Sequence, residues 1–329
     1  MFNNLEYEVI NYCEIYKPSS KAYSLIHNIS EDKNLGDITK INLKQLSDFD
    51  LMTYGFPCQD ITALGDQKGL LDSEGNLTRS GLFYEAAKIA KVKKPKFLFA
   101  ENVKALTSKK FKKDFEGMLL LLDQIGYKSY WKTLSSKDYG IPHSRQRVYI
   151  LSIRKDIDRG FNFPEPKTLL KKASEFYEDN VGEEYYLRES DMKYLSEFRL
   201  KKKYSSLNAD VIVCQTTKQG NLANPQNFVK DKNGYRIMTP GELLSLQGFK
   251  SEYGKLLLNN GITKEQVGFM SGNSITVAVL EAIFNQLIKI YPEHTQYLRT
   301  LSLFSGIGAF EEALKNLENA YINKNVSNI

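Results

Sequence analysis

Glu8-Val9-Ile10-Asn11-Tyr12-Cys13, an amphipathic segment over 20–27, and then Phe49-Asp50-Leu51-Met52-Thr53-Tyr54 form the passage that decides the fold. An apolar run of β type is followed by a helix and by a second apolar run. The alternation continues through a helix over 82–91, the run Lys96-Phe97-Leu98-Phe99-Ala100, a helix over 113–125 and Val148-Tyr149-Ile150-Leu151-Ser152-Ile153. Strands alternating with helices of this length predict a doubly wound, mostly parallel α/β sheet. Ligands of such sheets sit outside the carboxyl ends of the strands, so chemistry is expected in the residues that follow each run.

After Asp156 the pattern changes to Pro164, Pro166 and Lys- and Tyr-rich stretches with little periodicity, up to about Arg236. This reads as a separate small domain. Order returns at Thr239-Pro240-Gly241-Glu242-Leu243-Leu244, where Thr is suited to an N-cap and Pro to the first helical position. A further helix follows Gly272-Asn273-Ser274, over 277–290, and the polar tail 323–329 is expected to fray. The expected division is therefore 1–156, 157–235 and 236–329.

A chain of 329 residues with 42% hydrophobic content can bury a sizeable core. No run approaches the roughly 20 apolar residues of a membrane helix, and Met1-Phe2-Asn3-Asn4-Leu5-Glu6 lacks a secretory pattern, so a cytoplasmic protein without a membrane partner is expected. Cys13, Cys58 and Cys214 form no CxxC pair, which argues against a disulfide framework or a cysteine zinc site and leaves a thiol free. No metal is expected. Lys plus Arg number 45 against 39 for Asp plus Glu, a net charge of +6 that is compatible with a polyanionic partner without requiring one. Basic clusters at Lys91-Lys93-Lys94-Lys96, Lys109-Lys110-Lys112-Lys113, Lys171-Lys172 and Arg199-Lys201-Lys202-Lys203 could contact phosphates, and each could equally be a solvated face.

Four segments carry chemistry. Tyr54-Gly55-Phe56-Pro57-Cys58-Gln59-Asp60 places a thiol in a turn directly after a strand; such a thiol is a nucleophile when positive neighbours lower its pKa, and otherwise an inert buried cysteine. Phe97-Leu98-Phe99-Ala100-Glu101-Asn102-Val103 puts a carboxyl at the end of the next strand, suited to protonating or gripping a ring nitrogen, or simply to a cap or ion pair. His143-Ser144-Arg145-Gln146-Arg147-Val148-Tyr149 carries two arginines at i and i+2 on one side of a strand, a pattern also common on surfaces. Leu301-Ser302-Leu303-Phe304-Ser305-Gly306-Ile307-Gly308-Ala309-Phe310 reads as strand, Gly-x-Gly turn and helix, where glycine lets the backbone approach a nucleotide-like ligand. The third glycine of a dinucleotide fingerprint is absent.

Together the Pro-Cys-Gln turn, the Glu-Asn-Val strand end, the Arg-x-Arg strand, Gly-Asn-Ser and Phe-Ser-Gly-Ile-Gly resemble the DNA cytosine-5 methyltransferases, over 5–155 and 234–317. Gly36-Asp37-Ile38-Thr39, Arg79-Ser80-Gly81-Leu82-Phe83 and Leu244-Ser245-Leu246-Gln247-Gly248-Phe249 look like the family's remaining blocks. The family usually opens with the Phe-x-Gly-x-Gly turn, whereas here that turn comes last, so the resemblance is to circularly permuted bacterial or phage members. A linker over 290–300 would join the usual ends, and the new termini would fall in a surface connection.

The resemblance implies a Rossmann-like class I methyltransferase that uses S-adenosylmethionine and releases S-adenosylhomocysteine. Cys58 would attack carbon 6 of a flipped-out cytosine, Glu101 would hold the exocyclic amine and ring nitrogen 3, Arg147 would contact the base carbonyl, and Arg145 would support the loop or the base. Phe304, Ser305, Gly306, Ile307 and Gly308 would surround the methionine moiety, Glu14 would hold the ribose and Ile15 would pack on the adenine. An acidic residue at a second strand end is also the usual ribose partner in nucleotide-binding α/β folds, though a polar turn could place it there too. Asp37 and Ile38 would meet the adenine edge, and Pro57, Leu82, Asn273, Ser274 and Ile275 would complete the pocket.

The unmatched stretch 157–233 falls where the family keeps its target-recognition region. Gln215, Thr216, Thr217, Lys218, Gln219 and Asn221 are candidates for base contacts, although most of them are expected to be loop residues without such contacts. Double-stranded DNA is the expected partner of a monomer, with a cognate restriction endonuclease as a genetic partner. Two rival readings are a tRNA cytosine methyltransferase and a catalytically inactive nucleic-acid-binding relative; the presence of Cys58, Glu101 and Arg147 weighs against the second. A dinucleotide oxidoreductase would explain the GxG turn and nothing else.

Overall fold

The computed structural model describes residues 5–61, 69–72, 74–191, 206–219 and 227–326. Its centre is a six-stranded sheet built from β1 (Glu6–Cys13), β2 (Leu51–Tyr54), β3 (Phe97–Val103), β4 (Tyr127–Ser135), β6 (Gln146–Arg154) and β11 (Tyr297–Leu303) in the order β1-β11-β2-β3-β6-β4. The first four positions run parallel, and β6 is antiparallel to both β3 and β4. The last strand in the chain thus lies between the first two, with Leu303 opposite both Cys13 and Tyr54. The carboxyl ends of β1, β11 and β2 therefore come together at one edge.

Alternation along the strands divides the core into two layers. Phe97 and Phe99 face helices α7 (Val277–Ile290) and α9 (Ala309–Val326), where Phe99 meets Phe284 and Phe310 edge-on at 5.1 and 5.3 Å between ring centres. Leu98 and Ala100 face α2 (Phe83–Lys93) and α3 (Lys112–Gln124), packing with Phe83, Ala86, Phe115 and Met118. Helix α1 (Lys17–His27) joins the first layer through Ala22 and Ile26.

The expected doubly wound sheet is present, and three elements differ from the sequence reading. Strand β4 carries Lys128 and Lys132 exposed at the sheet edge, so its apolar alternation is diluted. Helices α5 (Glu252–Asn259) and α6 (Lys264–Asn273) precede α7, so Gly272 and Asn273 close a helix instead of opening one. A capping box between Thr263 and Gln266 starts α6. By length and composition the stretch 264–290 also meets the requirement for a membrane span, contrary to the expectation above, but its backbone breaks at 274–276 and 72% of the apolar window is buried against the rest of the fold.

A smaller unit holds β9 (Asn227–Asp231), β10 (Gly234–Ile237) and β7 (Ser206–Leu207) in one sheet, while β8 (Ile212–Val213) pairs in parallel with β5 (His143–Ser144). Its apolar residues Ile212, Val229 and Met238 pack on Leu243 and Leu246 at helix α4 (Pro240–Ser245). Thr239 caps α4 as its sequence predicts, accepting from the Glu242 N–H at 3.1 Å. The fully buried Glu242 carboxylate also receives both Nη atoms of Arg236, at 2.7 and 2.8 Å. This bidentate pair fastens β10 to α4.

Candidate active site

The carboxyl ends of β1, β11, β2 and β3 open onto a cavity of about 280 Å³. The turn after β2 brings Cys58 to its wall, half-buried. Asn102, fully buried at the end of β3, donates its side-chain amide to the Phe56 carbonyl at 3.0 Å and so ties the cysteine turn to the strand carrying Glu101. Asp60 anchors the other side of the turn, accepting from the Ser80 N–H at 3.1 Å and pairing with Arg79 at 3.3 Å.

Glu101 is buried, and its Oε1 stands 3.1 Å from Nε of Arg147, close enough for an ion pair but outside hydrogen-bond alignment; that oxygen has no hydrogen-bond partner among the described residues. Burial pushes the Glu101 carboxyl above its usual range, opposed by the Arg147 and Arg145 charges. The Cys58 thiol is also pushed up, chiefly by burial and secondarily by Glu101, while Arg147 and Arg145 pull it down. A thiol and a carboxyl, both pushed toward their protonated forms by burial, thus share one cavity with the Arg145 and Arg147 charges.

Arg145 is used differently. Its Nη1 donates to the carbonyls of Gly272 at 3.1 Å and Gln215 at 3.3 Å, and its Nη2 donates to that of Ser274. It therefore holds the loop after α6 against the entrance of β6. The structure places Arg145 and Arg147 on the same cavity, as their i, i+2 spacing predicts. Cys214 adds a second thiol beside them, 3.7 Å from Nη1 of Arg145, with its pKa lowered by the two arginines against the cost of burial. Nothing in the local sequence around Cys214 signals this, because the neighbours come from β6.

The turn after β11 is built on left-handed backbone. Phe304 has φ +52° and Gly306 φ +55°; a left-handed residue other than glycine costs roughly 1–2 kcal/mol. Ser305 N–H donates to the Cys13 carbonyl at 3.1 Å, and Gly306 N–H to Oε2 of Glu14 at 3.0 Å, which fixes the turn to the end of β1. Oε1 of Glu14 accepts from the Tyr16 N–H at 2.7 Å, and burial raises the Glu14 pKa. Phe304, Ser305, Gly306 and Ile307 line the cavity, as do Glu14, Ile15, Asp37 and Ile38 on one side. Pro57, Leu82, Asn273, Ser274 and Ile275 line the other.

Gly308 does not line it, contrary to the sequence expectation. At φ +78° it packs against His27, whose Nε2 lies within 3.0 Å of the Ile307 carbonyl and would collide with any Cβ at position 308. Tyr16 and Phe269, in edge contact at 5.1 Å between ring centres, line the cavity and carry no motif.

Among the recognition candidates, Gln215 and Gln219 are 1% and 4% exposed, which removes them as readers of base edges. The Gln215 amide is engaged internally, with Leu243 at 3.2 Å and Gln247 at 3.3 Å. Thr216 and Thr217 are half-buried and Lys218 is exposed, while Asn221 and the cluster 199–203 lie outside the described residues.

A doubly wound sheet with a glycine turn after β11, a cysteine after β2, an acid at the end of β3 and an arginine at the start of β6 has the layout of a group-transfer enzyme. The chain belongs to the C-5 cytosine-specific DNA methylases: the model of that family matches residues 1–289. It is 37% identical over 268 residues to the type II methyltransferase M2.ScrFI of Lactococcus lactis subsp. cremoris, covering 78% of this chain and 72% of the relative. It is 32% identical over 260 residues to the type II methyltransferase M.NgoBI of Neisseria gonorrhoeae, covering 76% and 78%. An orphan methyltransferase of Bacillus phage SPbeta, M.SPBetaI, is 27% identical over 87% of this chain and 93% of its own. Among solved structures the fold resembles the Dnmt2 methyltransferase of S. pombe, with a TM-score of 0.64 and 20% identity over 86% of this chain and 91% of that one. It also resembles EhMeth of Entamoeba histolytica, with a TM-score of 0.66 and 21% identity over 84% and 90%.

Proposed function

We propose that this enzyme methylates carbon 5 of a cytosine within one short sequence of double-stranded DNA, with Cys58 as nucleophile. The observation that carries the reading is the meeting of Cys58 and the Glu101–Arg147 pair in one cavity with the Phe304–Gly306 turn. The cavity suits S-adenosylmethionine. Ser305 Oγ is buried without a hydrogen-bond partner among the described residues, a Cβ on Gly306 would meet open space, and the Glu14 carboxylate keeps lone pairs free for ribose hydroxyls. Ile15, 74% exposed, and Ile38 would pack on the adenine, and Asp37 would meet its edge. When bound, the cofactor supplies an electrophilic methyl group.

The target base must leave the duplex to reach Cys58, at a cost of a few kcal/mol. The Cys58 thiolate then forms a bond to carbon 6 while Glu101, in its acid form, donates toward ring nitrogen 3, so electron density collects at carbon 5. Arg147 holds the base carbonyl, and Arg145 keeps the wall of the site in place. After methylation, loss of the carbon 5 proton to water, departure of the thiolate from carbon 6 and return of the nitrogen 3 proton to Glu101 restore the ring and free Cys58.

The order of segments supports a circular permutation. The family match ends at residue 289, and the strand of 297–303 that follows it lies between β1 and β2 in the sheet. The smaller unit, within 157–235, would read the DNA sequence, and a single such unit suits a monomer. The named relatives, type II methyltransferases and a phage orphan methyltransferase, support a restriction-modification or phage setting. Base-resolution sequencing for 5-methylcytosine, after incubating the chain and S-adenosylmethionine with unmethylated bacterial DNA, should find methylation confined to one short sequence. Unmethylated DNA from protein that binds S-adenosylhomocysteine would overturn the reading in favour of RNA.

A further inference from the structure

The segment 214–219 follows β8 of the smaller unit and lies on helix α6. Gly268 and Gly272, one turn apart, face it: a Cβ on Gly268 would stand 2.9 Å from the Gln219 carbonyl, and one on Gly272 2.2 Å from the Thr216 backbone. Within the segment, Gln215 is held on every side. Its N–H donates to Nε2 of His143 at 2.9 Å, its carbonyl accepts from Arg145 at 3.3 Å, and its side chain bonds Leu243, Gln247 and Ser271.

His143 is enclosed, and its Nδ1 faces the Leu246 carbonyl at 3.1 Å. A carbonyl only accepts, so Nδ1 carries the hydrogen and Nε2 receives the Gln215 N–H from a neutral ring. Arg145 in turn holds the carbonyls of Gly272 and Ser274, which flank Asn273 on the cavity wall. A displacement at Gln215 therefore reaches that wall through Arg145 and through Ser271, which its side chain bonds.

We propose that Gln215 is a positioning residue that couples docking of DNA on the smaller unit to the loop 272–275, so that DNA and cofactor bind cooperatively. The proposal rests on the function given above. Calorimetric titration of the full chain with S-adenosylhomocysteine tests it, alone and with saturating duplex carrying the site mapped by sequencing. In the wild type the duplex should tighten binding by about 5-fold or more, the range of ordinary coupling between sites. Gln215→Ala should reduce that ratio below about 2-fold. Gly268→Ala, which lies outside the cavity wall and displaces the segment by contact, should do the same and serves if Gln215→Ala fails to fold. A purely structural role would lower Tm and leave the ratio intact. An unchanged ratio in a folded variant of an active enzyme overturns the coupling and spares the function; a wild type that methylates no DNA overturns both.

Discussion

Glu101 and Cys58 titrate in opposition, and the reaction proposed here needs the carboxyl protonated and the thiol ionised. Burial raises both pKa values, so the active pairing is a minor form whose population climbs with pH below the Glu101 pKa, levels off, and falls again above the Cys58 pKa. The profile of kcat/KM for DNA against pH should accordingly be bell-shaped. Glu101→Gln should flatten the dependence that belongs to the carboxyl and lower the rate by about 10²-fold or more, the usual contribution of a positioned acid. A variant with the wild-type profile would remove Glu101 from proton transfer. The three residues Cys58, Glu101 and Arg147 were legible in the sequence because each sits within a few positions of a strand end in an unbroken motif. What Arg145 does was not legible, since its partners are carbonyls 70 and more positions away.

At the scale of elements, the strand-helix alternation of 5–155 reads most directly at β2 and β3, which are buried on both faces and therefore continuously apolar. Strand β4 escaped detection because an edge strand keeps lysines, and α6 because its buried face is made partly of glycine that seats another segment. Two histidines, one half-buried and one fully buried, join elements at hydrogen-bonded seams: His27 links α1 to the turn after β11, and His143 links β5 to the segment after β8. Burial lowers His27 to about 4 and His143 well below its usual value. Both are neutral in the fold and gain a proton on unfolding below the ordinary histidine value near 6.5, so stability is intact at neutral pH and lost as pH falls. Each should remove about 1.4 kcal/mol per pH unit from roughly 6.5 downward, until its folded form also protonates. Urea midpoints measured between pH 7.5 and 5 should fall, and His27→Gln should reduce the slope by about one proton. A flat profile would mean that these rings are not held neutral.

For the molecule as a whole, the first and last parts of the chain complete one sheet, and the family relationship places that sheet among the cytosine-5 DNA methylases. The smaller unit was legible only as an interruption of pattern, because surface segments are under no periodic packing constraint. The central claim is that Cys58 attacks the base, and a cytosine bearing fluorine at carbon 5 tests it, since no proton can then leave that carbon and the thiolate cannot depart. Duplex carrying this base at the mapped site should form a covalent complex in the presence of S-adenosylmethionine. Peptide mass spectrometry should place the methylated nucleotide on Cys58, and Cys58→Ser should form none. A nucleotide attached at Cys214, or full methylation of ordinary DNA by Cys58→Ser, would contradict the account.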